Sequence, residues 1–107
     1  MLDRAKARQI AQRYTEEVCN VLSPKSVILF GSYAAGNPHE YSDIDIAVVF
    51  DNYEGNWYDT AVLLQRLRRK VDDTSGGGIE PHLLDEASDR SGLLAHVKET
   101  GELIYSR

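Results

Sequence analysis

The chain has 107 residues, with 12 Lys and Arg against 17 Asp and Glu, a formal net charge of −5 and a single cysteine. A length of this order predicts one domain over residues 1–107, able to bury roughly 65% of its unfolded surface without covalent staples. The acidic balance argues against a duplex binder, which needs a basic stripe; one cysteine excludes a disulfide framework and a zinc ligand set.

The first predicted element is a helix between Asp3 and Leu22, where Ile10, Tyr14, Val18, Val21 and Leu22 recur at helical spacing. Cys19 falls inside it and is expected to be a packing residue. After Ser23-Pro24, the run Lys25–Phe30 reads as a strand, ended by Gly31. Ser32 opens a short helical segment, Tyr33–Ala35, which Gly36 closes. Ile44, Ile46, Ala47, Val48, Val49 and Phe50 make an apolar, largely β-branched run, the signature of a buried strand. The loop from Asp51 to Tyr58 leads into a second amphipathic helix, Trp57 to Asp73, with Ala61, Leu64, Leu67 and Val71 on its apolar face. Thr74–Gly78 is a flexible connector. A third strand is predicted from Ile79 to Leu84; Pro81 cannot donate to a ladder, which puts it on an edge or at a strand start. Leu93, Leu94 and Val97 mark a last helix, stopped at Gly101, and Leu103–Tyr105 a terminal strand. Helices and strands alternate, so the fold class is α/β (α+β).

Two features within this frame carry chemistry. Asp43 and Asp45 stand at the start of an apolar strand, where an ionised carboxylate needs water or a cation. Side chains alternate along a strand, so the two point to one side with Cα atoms roughly 6.5–7 Å apart. Carboxylates at that spacing can hold a pair of divalent ions about 3.5–4 Å apart, and all-oxygen ligation favours Mg²⁺ or Mn²⁺ over zinc. Upstream, Gly31-Ser32 forms a strand–turn–helix junction. Gly31 allows close backbone approach to a ligand, unpaired N–H groups point outward, and the Ser32 hydroxyl adds a donor for phosphate. The lysine of a P-loop and the spacing of the dinucleotide fingerprint are both missing.

The pattern Gly31-Ser32, ten residues, Asp43-Ile44-Asp45 resembles the DNA polymerase β-like nucleotidyltransferases. The form SxxxGxxxxxSDID is most similar to the minimal nucleotidyltransferases, small domains often encoded beside a HEPN-domain protein as antitoxin and toxin. The resemblance implies a polymerase β-like palm, a small mixed sheet flanked by helices, in which Gly31 and Ser32 bind the phosphates of ATP. Asp43, Asp45 and a third carboxylate would be catalytic and bind two Mg²⁺ ions. Glu80, on the third strand, is the preferred third member, with Asp72 and Asp85 as competitors; the family more often has Asp at this point. The implied reaction is transfer of AMP to a hydroxyl, a tyrosine above all, of a partner HEPN ribonuclease toxin, within a hetero-oligomer. Two alternatives stay open: a binding module that neutralises its partner by covering it, and a small-molecule nucleotidyltransferase subunit.

The remaining signals are weaker. Larger relatives append a domain that holds the acceptor, and this sequence leaves no room for one, so the acceptor is expected to be small or brought by a partner. Trp57 or Tyr58 could stack on a purine, although such aromatics more often cover a core or an interface. Arg66, Arg68, Arg69 and Lys70 read as a solvated helix face. His39, His82 and His96 lack triad or ligand spacing; His82 could approach the site from the third strand, but reads first as a structural histidine. The N-terminus lacks the apolar core of a signal peptide and no stretch approaches the roughly 20 apolar residues of a membrane span, so a reducing cytoplasm is expected.

Overall fold

The computed structural model describes residues 3–35, 43–71 and 78–107. Helix α1 (Arg4–Val21) is followed by strand β1 (Ser26–Phe30), the one-turn helix α2 (Ser32–Ala35) and strand β2 (Ile44–Phe50). Helix α3 (Trp57–Leu67) runs into a 3₁₀ turn (Arg68–Lys70), then strand β3 (Ile79–Asp85), helix α4 (Leu93–Thr100) and strand β4 (Glu102–Ser106). This is the alternating α+β order that the periodicities predict. The second long helix is shorter than its apolar pattern suggests: it tightens at Arg68, as helix ends do to satisfy their last carbonyls. Gly36, His39, Asp72 and the connector residues 74–77 lie outside the described residues.

The four strands form one mixed sheet in the order β3-β2-β1-β4. β1 pairs antiparallel with both β2 and β4, while β2 and β3 run parallel, joined through α3. β3 is therefore an edge strand, the position that tolerates Pro81.

Alternation assigns the two faces. Val27, Leu29, Ile44, Ile46, Val48, Phe50 and Ile79 face a core shared with Ile10, Tyr14 and Val18 of α1 and Leu64 and Leu67 of α3. Ile28, Phe30, Ala47 and Val49 face the other way, against Leu94 and Val97 of α4. Tyr14 is fully buried, and its hydroxyl donates to the Leu64 carbonyl (2.7 Å), tying α1 to α3 without leaving a polar group unpaired. Burial raises the Tyr14 phenol above its ordinary pKa.

Two residues of α1 depart from the packing expected of them. Cys19 is exposed and Val21 is 55% exposed. Val18 takes the position facing the sheet, and Cys19, the next residue, is turned about 100° away from it; Val21 is the last residue of the helix.

Asp85, a competitor for the third acidic role, has a different use. It closes β3 opposite Phe50, and its carboxylate accepts backbone N–H groups from Asn52 (2.8 Å), Tyr53 (2.7 Å) and Ala87 (2.8 Å). Asn52 has a left-handed backbone (φ 58°), so this carboxylate pins a strained turn. The donors, Ala87 first and then Tyr53, hold the carboxyl below its ordinary 3.8. Asp85→Ala is expected to lower the unfolding free energy by about 1–2 kcal/mol, the scale of a lost carboxylate cap. Because the folded-state pKa is depressed, this contribution is complete above 3.8 and fades as acid takes the pH down through the folded value. Urea unfolding of both proteins across that range checks it: the gap should narrow on acidification.

Candidate active site

The parallel register of β2 and β3 sets Asp45 opposite Glu80, with Ile44 opposite Ile79 and Ala47 opposite His82. Asp45, Glu80 and His82 thus share the α4 side of the sheet by alternation. Helix α4 covers the part of this face built by Ile28, Ala47 and Val49 and does not seal the acidic end. The side chains of Asp45 and His82 keep 24% and 29% exposure and that of Glu80 keeps 51%.

One ligand atom from each of Asp45, Glu80 and His82 falls within 4.8 Å of the others. Nε2 of His82 lies 3.3 Å from Asp45 Oδ1 and 4.0 Å from Glu80 Oε1. Asp43 is exposed, immediately precedes β2, and shares a hydrogen bond with Glu80. The carboxyl of Glu80 is pushed above its ordinary range by partial burial and then by the negative charge of Asp45, with His82 opposing. The imidazole of His82 is raised chiefly by its hydrogen bond with Asp45. Its ring meets Phe30 edge-on, with centroids 5.0 Å apart.

Gly31 connects the phosphate-type turn to this cluster. It has φ +77°, the left-handed region open to glycine, and a Cβ placed on it would overlap the Asp45 carboxylate, lying 3.2 Å from Cγ and closer to Oδ2. The bend therefore lies directly against the carboxylate. Ser32, half-buried, is the first residue of α2 and follows Gly31 directly. Of the residues singled out in the sequence, the structure brings Gly31, Ser32, Asp43, Asp45 and Glu80 to one end of the sheet. Asp85 lies at the other end, beside Phe50, and Asp72 is outside the described residues.

His82 is the member that sequence reasoning placed second to a structural role. The available signal was its i+2 spacing from Glu80, which puts both on one face of a strand. Trp57 and Tyr58 go the other way. They open α3 beyond the Phe50 end of β2, five residues from Asp45, or about 16 Å at 3.3 Å per residue. Trp57 contacts Tyr53 edge-on (6.1 Å) and is 46% exposed; Tyr58 is 75% exposed. Stacking on a base held at Asp45 is therefore not a role for either.

A family model described as "Polymerase beta, Nucleotidyltransferase" matches residues 8–107. The chain belongs to the polymerase beta nucleotidyltransferase family. Among solved structures, this nucleotidyltransferase is similar to a protein from Sulfolobus solfataricus described as a candidate nucleotidyltransferase. The two share 29% identity over 97% of this chain and 84% of that one, with a TM-score of 0.71. It also shares its fold with a chain of a mutant form of the toxin–antitoxin complex MntA-HpeT, at 21% identity, 91% and 73% coverage and a TM-score of 0.62. No curated protein matches.

Family members use a nucleotide and divalent cations, and the donor set here fits a cation. Asp45, Glu80 and His82 converge at a partly exposed site, with Asp43 hydrogen-bonded to Glu80, and the negative charge that Asp45 sets beside the partly buried Glu80 calls for positive charge between them. Placement of the bend against Asp45 makes a specific demand on Gly31. Gly31→Ala is expected to cost about 1–2 kcal/mol through its left-handed backbone and to displace the Asp45 carboxylate. Chemical denaturation checks the first, and a loss of at least tenfold in Mg²⁺ affinity by calorimetry checks the second.

Proposed function

We propose that this nucleotidyltransferase moves AMP from ATP to a hydroxyl, foremost a tyrosine, of a partner HEPN-type ribonuclease toxin, and so acts as its antitoxin in a hetero-oligomer. The observation that carries this reading is the placement of Asp45 and Glu80 side by side against the bend at Gly31-Ser32. The family match supports nucleotidyl transfer, and the fold shared with a chain of a toxin–antitoxin complex agrees with the antitoxin role.

Gly31 and Ser32 hold the terminal phosphates: the bend admits a phosphate close to the backbone, and the Ser32 hydroxyl donates to one oxygen. Asp43, Asp45 and Glu80 are the residues that would hold two divalent ions, Mg²⁺ by family resemblance. Such ions lower the pKa of an attacking hydroxyl and stabilise charge on a leaving pyrophosphate. Glu80 faces the acceptor. As the carboxylate nearest that hydroxyl it takes the hydroxyl proton as the oxygen attacks the α-phosphorus. The new O–P bond forms as the bond from the α-phosphorus to the bridging oxygen breaks, and pyrophosphate departs with that electron pair. A tyrosine hydroxyl, with a pKa of about 10, is the most acidic of the protein hydroxyls and the easiest to activate in this way.

The test is direct. The protein is incubated with the product of the neighbouring gene, ATP and Mg²⁺, and the partner is weighed by mass spectrometry. Gain of whole AMP units is expected, with loss of at least a hundredfold in rate when Asp43→Asn and Asp45→Asn are combined. Neutralisation of the partner that persists unchanged in the double variant would falsify catalysis and leave a binding antitoxin. A second outcome concerns stability. Mg²⁺ with ATP at 100 times its dissociation constant should stabilise the native state by about 2.7 kcal/mol, read as a rise in melting temperature that the double variant lacks.

A further inference from the structure

Most of the site is oxygen, but it also holds one nitrogen donor. His82 sits two residues beyond Glu80 on β3, on the same face, with Nε2 3.3 Å from Asp45 Oδ1 and 4.0 Å from Glu80 Oε1. Donors in adjacent positions around an octahedral ion with bonds of about 2.1 Å lie about 3 Å apart. The separation from Asp45 is close to that spacing before any ion is present, and the one from Glu80 is about 1 Å longer. The ring cannot swing freely: it rests edge-on against Phe30, which is 9% exposed, and its own side chain is 29% exposed. Phe30 immediately precedes Gly31, so one turn supports both the imidazole and the Asp45 carboxylate.

We propose that His82 is a cation ligand together with Asp45 and Glu80, and that this mixed nitrogen–oxygen set makes the site prefer Mn²⁺ to Mg²⁺. The proposal deepens the functional reading above and rests on it. Mg²⁺ is a hard ion that keeps oxygen ligands and waters; Mn²⁺ takes the same oxygen ligands but opens the first-row transition series, whose later members, Fe²⁺ to Zn²⁺, suit imidazole. Replacing one oxygen or water by a preoriented imidazole therefore gains affinity for Mn²⁺ and little for Mg²⁺. A rival role for His82 is as a positioning residue, donating from Nε2–H to Asp45 and never touching the ion.

Electron spin-echo spectroscopy separates these roles, using the full chain and Mn²⁺ alone so that no nucleotide nitrogen contributes. The expected result is ¹⁴N modulation from an imidazole on bound Mn²⁺, abolished in His82→Gln and His82→Ala. Competition binding should give at least a tenfold preference for Mn²⁺ over Mg²⁺. In either variant that ratio should fall severalfold, through weaker Mn²⁺ binding at unchanged Mg²⁺ affinity. Bound Mn²⁺ without nitrogen modulation overturns the proposal and leaves His82 as a positioning residue. Modulation that survives both substitutions overturns it too, as does an equal loss of the two ions. Failure of the underlying site reading looks different: Mn²⁺ either fails to bind the unaltered protein or binds Asp45→Asn as tightly.

Discussion

The site depends on one pairing, β2 against β3 in parallel with Asp45 opposite Glu80. Left to themselves, these carboxylates would separate. What holds them is the opposite face of the same two strands, where Ile44, Ile46, Val48 and Ile79 are buried beneath α1 and α3. Strand side chains alternate with a period of two, so a slip of one residue in β3 would turn Glu80 and His82 into that core and Ile79 out to water. Burying an unpaired carboxylate costs far more than the repulsion between two partly exposed ones. Apolar burial on one side of the sheet thus sets the spacing of like charges on the other.

The two faces are covered unequally, and the function uses the difference. One face lies under the long helices α1 and α3. Among the described residues the other carries only α4, whose Leu94 and Val97 pack on Ile28, Ala47 and Val49. Beyond them the same strands present Asp45, Glu80 and His82, still partly exposed. Gly31 adds the phosphate-type bend at this end, and its missing side chain is what lets the backbone lie against Asp45. The opposite end of the sheet is mechanical. There Asp85 gathers three backbone donors, and Glu86 joins Lys25 (2.6 Å) to Lys98, fastening α4 to the start of β1.

Much of this was legible in the residues. The predicted strands at 25–30, 44–50 and 79–84 match those found to within a residue: the first two are apolar runs rich in β-branched residues and the third an apolar stretch after a glycine run, while the Gly-Ser turn and the Asp-Ile-Asp triplet carry the family resemblance within twenty residues. The position of Glu80 followed from its place at the head of an apolar run. Three features were hidden because they depend on register and on which end of the sheet a residue occupies, and a single sequence encodes neither locally. His82 joins the site only because β3 is parallel to β2 in one particular register. Trp57 and Tyr58 miss it because a strand separates them from Asp45. Asp85 differs from Glu80 in being followed by the turn whose N–H groups it accepts, visible only once Asn52 and Tyr53 fold back onto it. Cys19 is exposed for a simpler reason, since helical phase turns it away from the position that Val18 fills.

Phosphoryl chemistry gains from water exclusion, because every electrostatic contact strengthens as the local dielectric falls. Among the described residues, no element of this chain closes over Glu80, which keeps half its side-chain surface in contact with solvent. It also lies on β3, the edge strand of the sheet that the described residues form. A protein acceptor brings its own surface, and in docking a hydroxyl beside Glu80 it would also cover Asp45 and His82. Among the described residues the sheet is thus open at this end, and the protein acceptor proposed above is the kind of partner that would cover it.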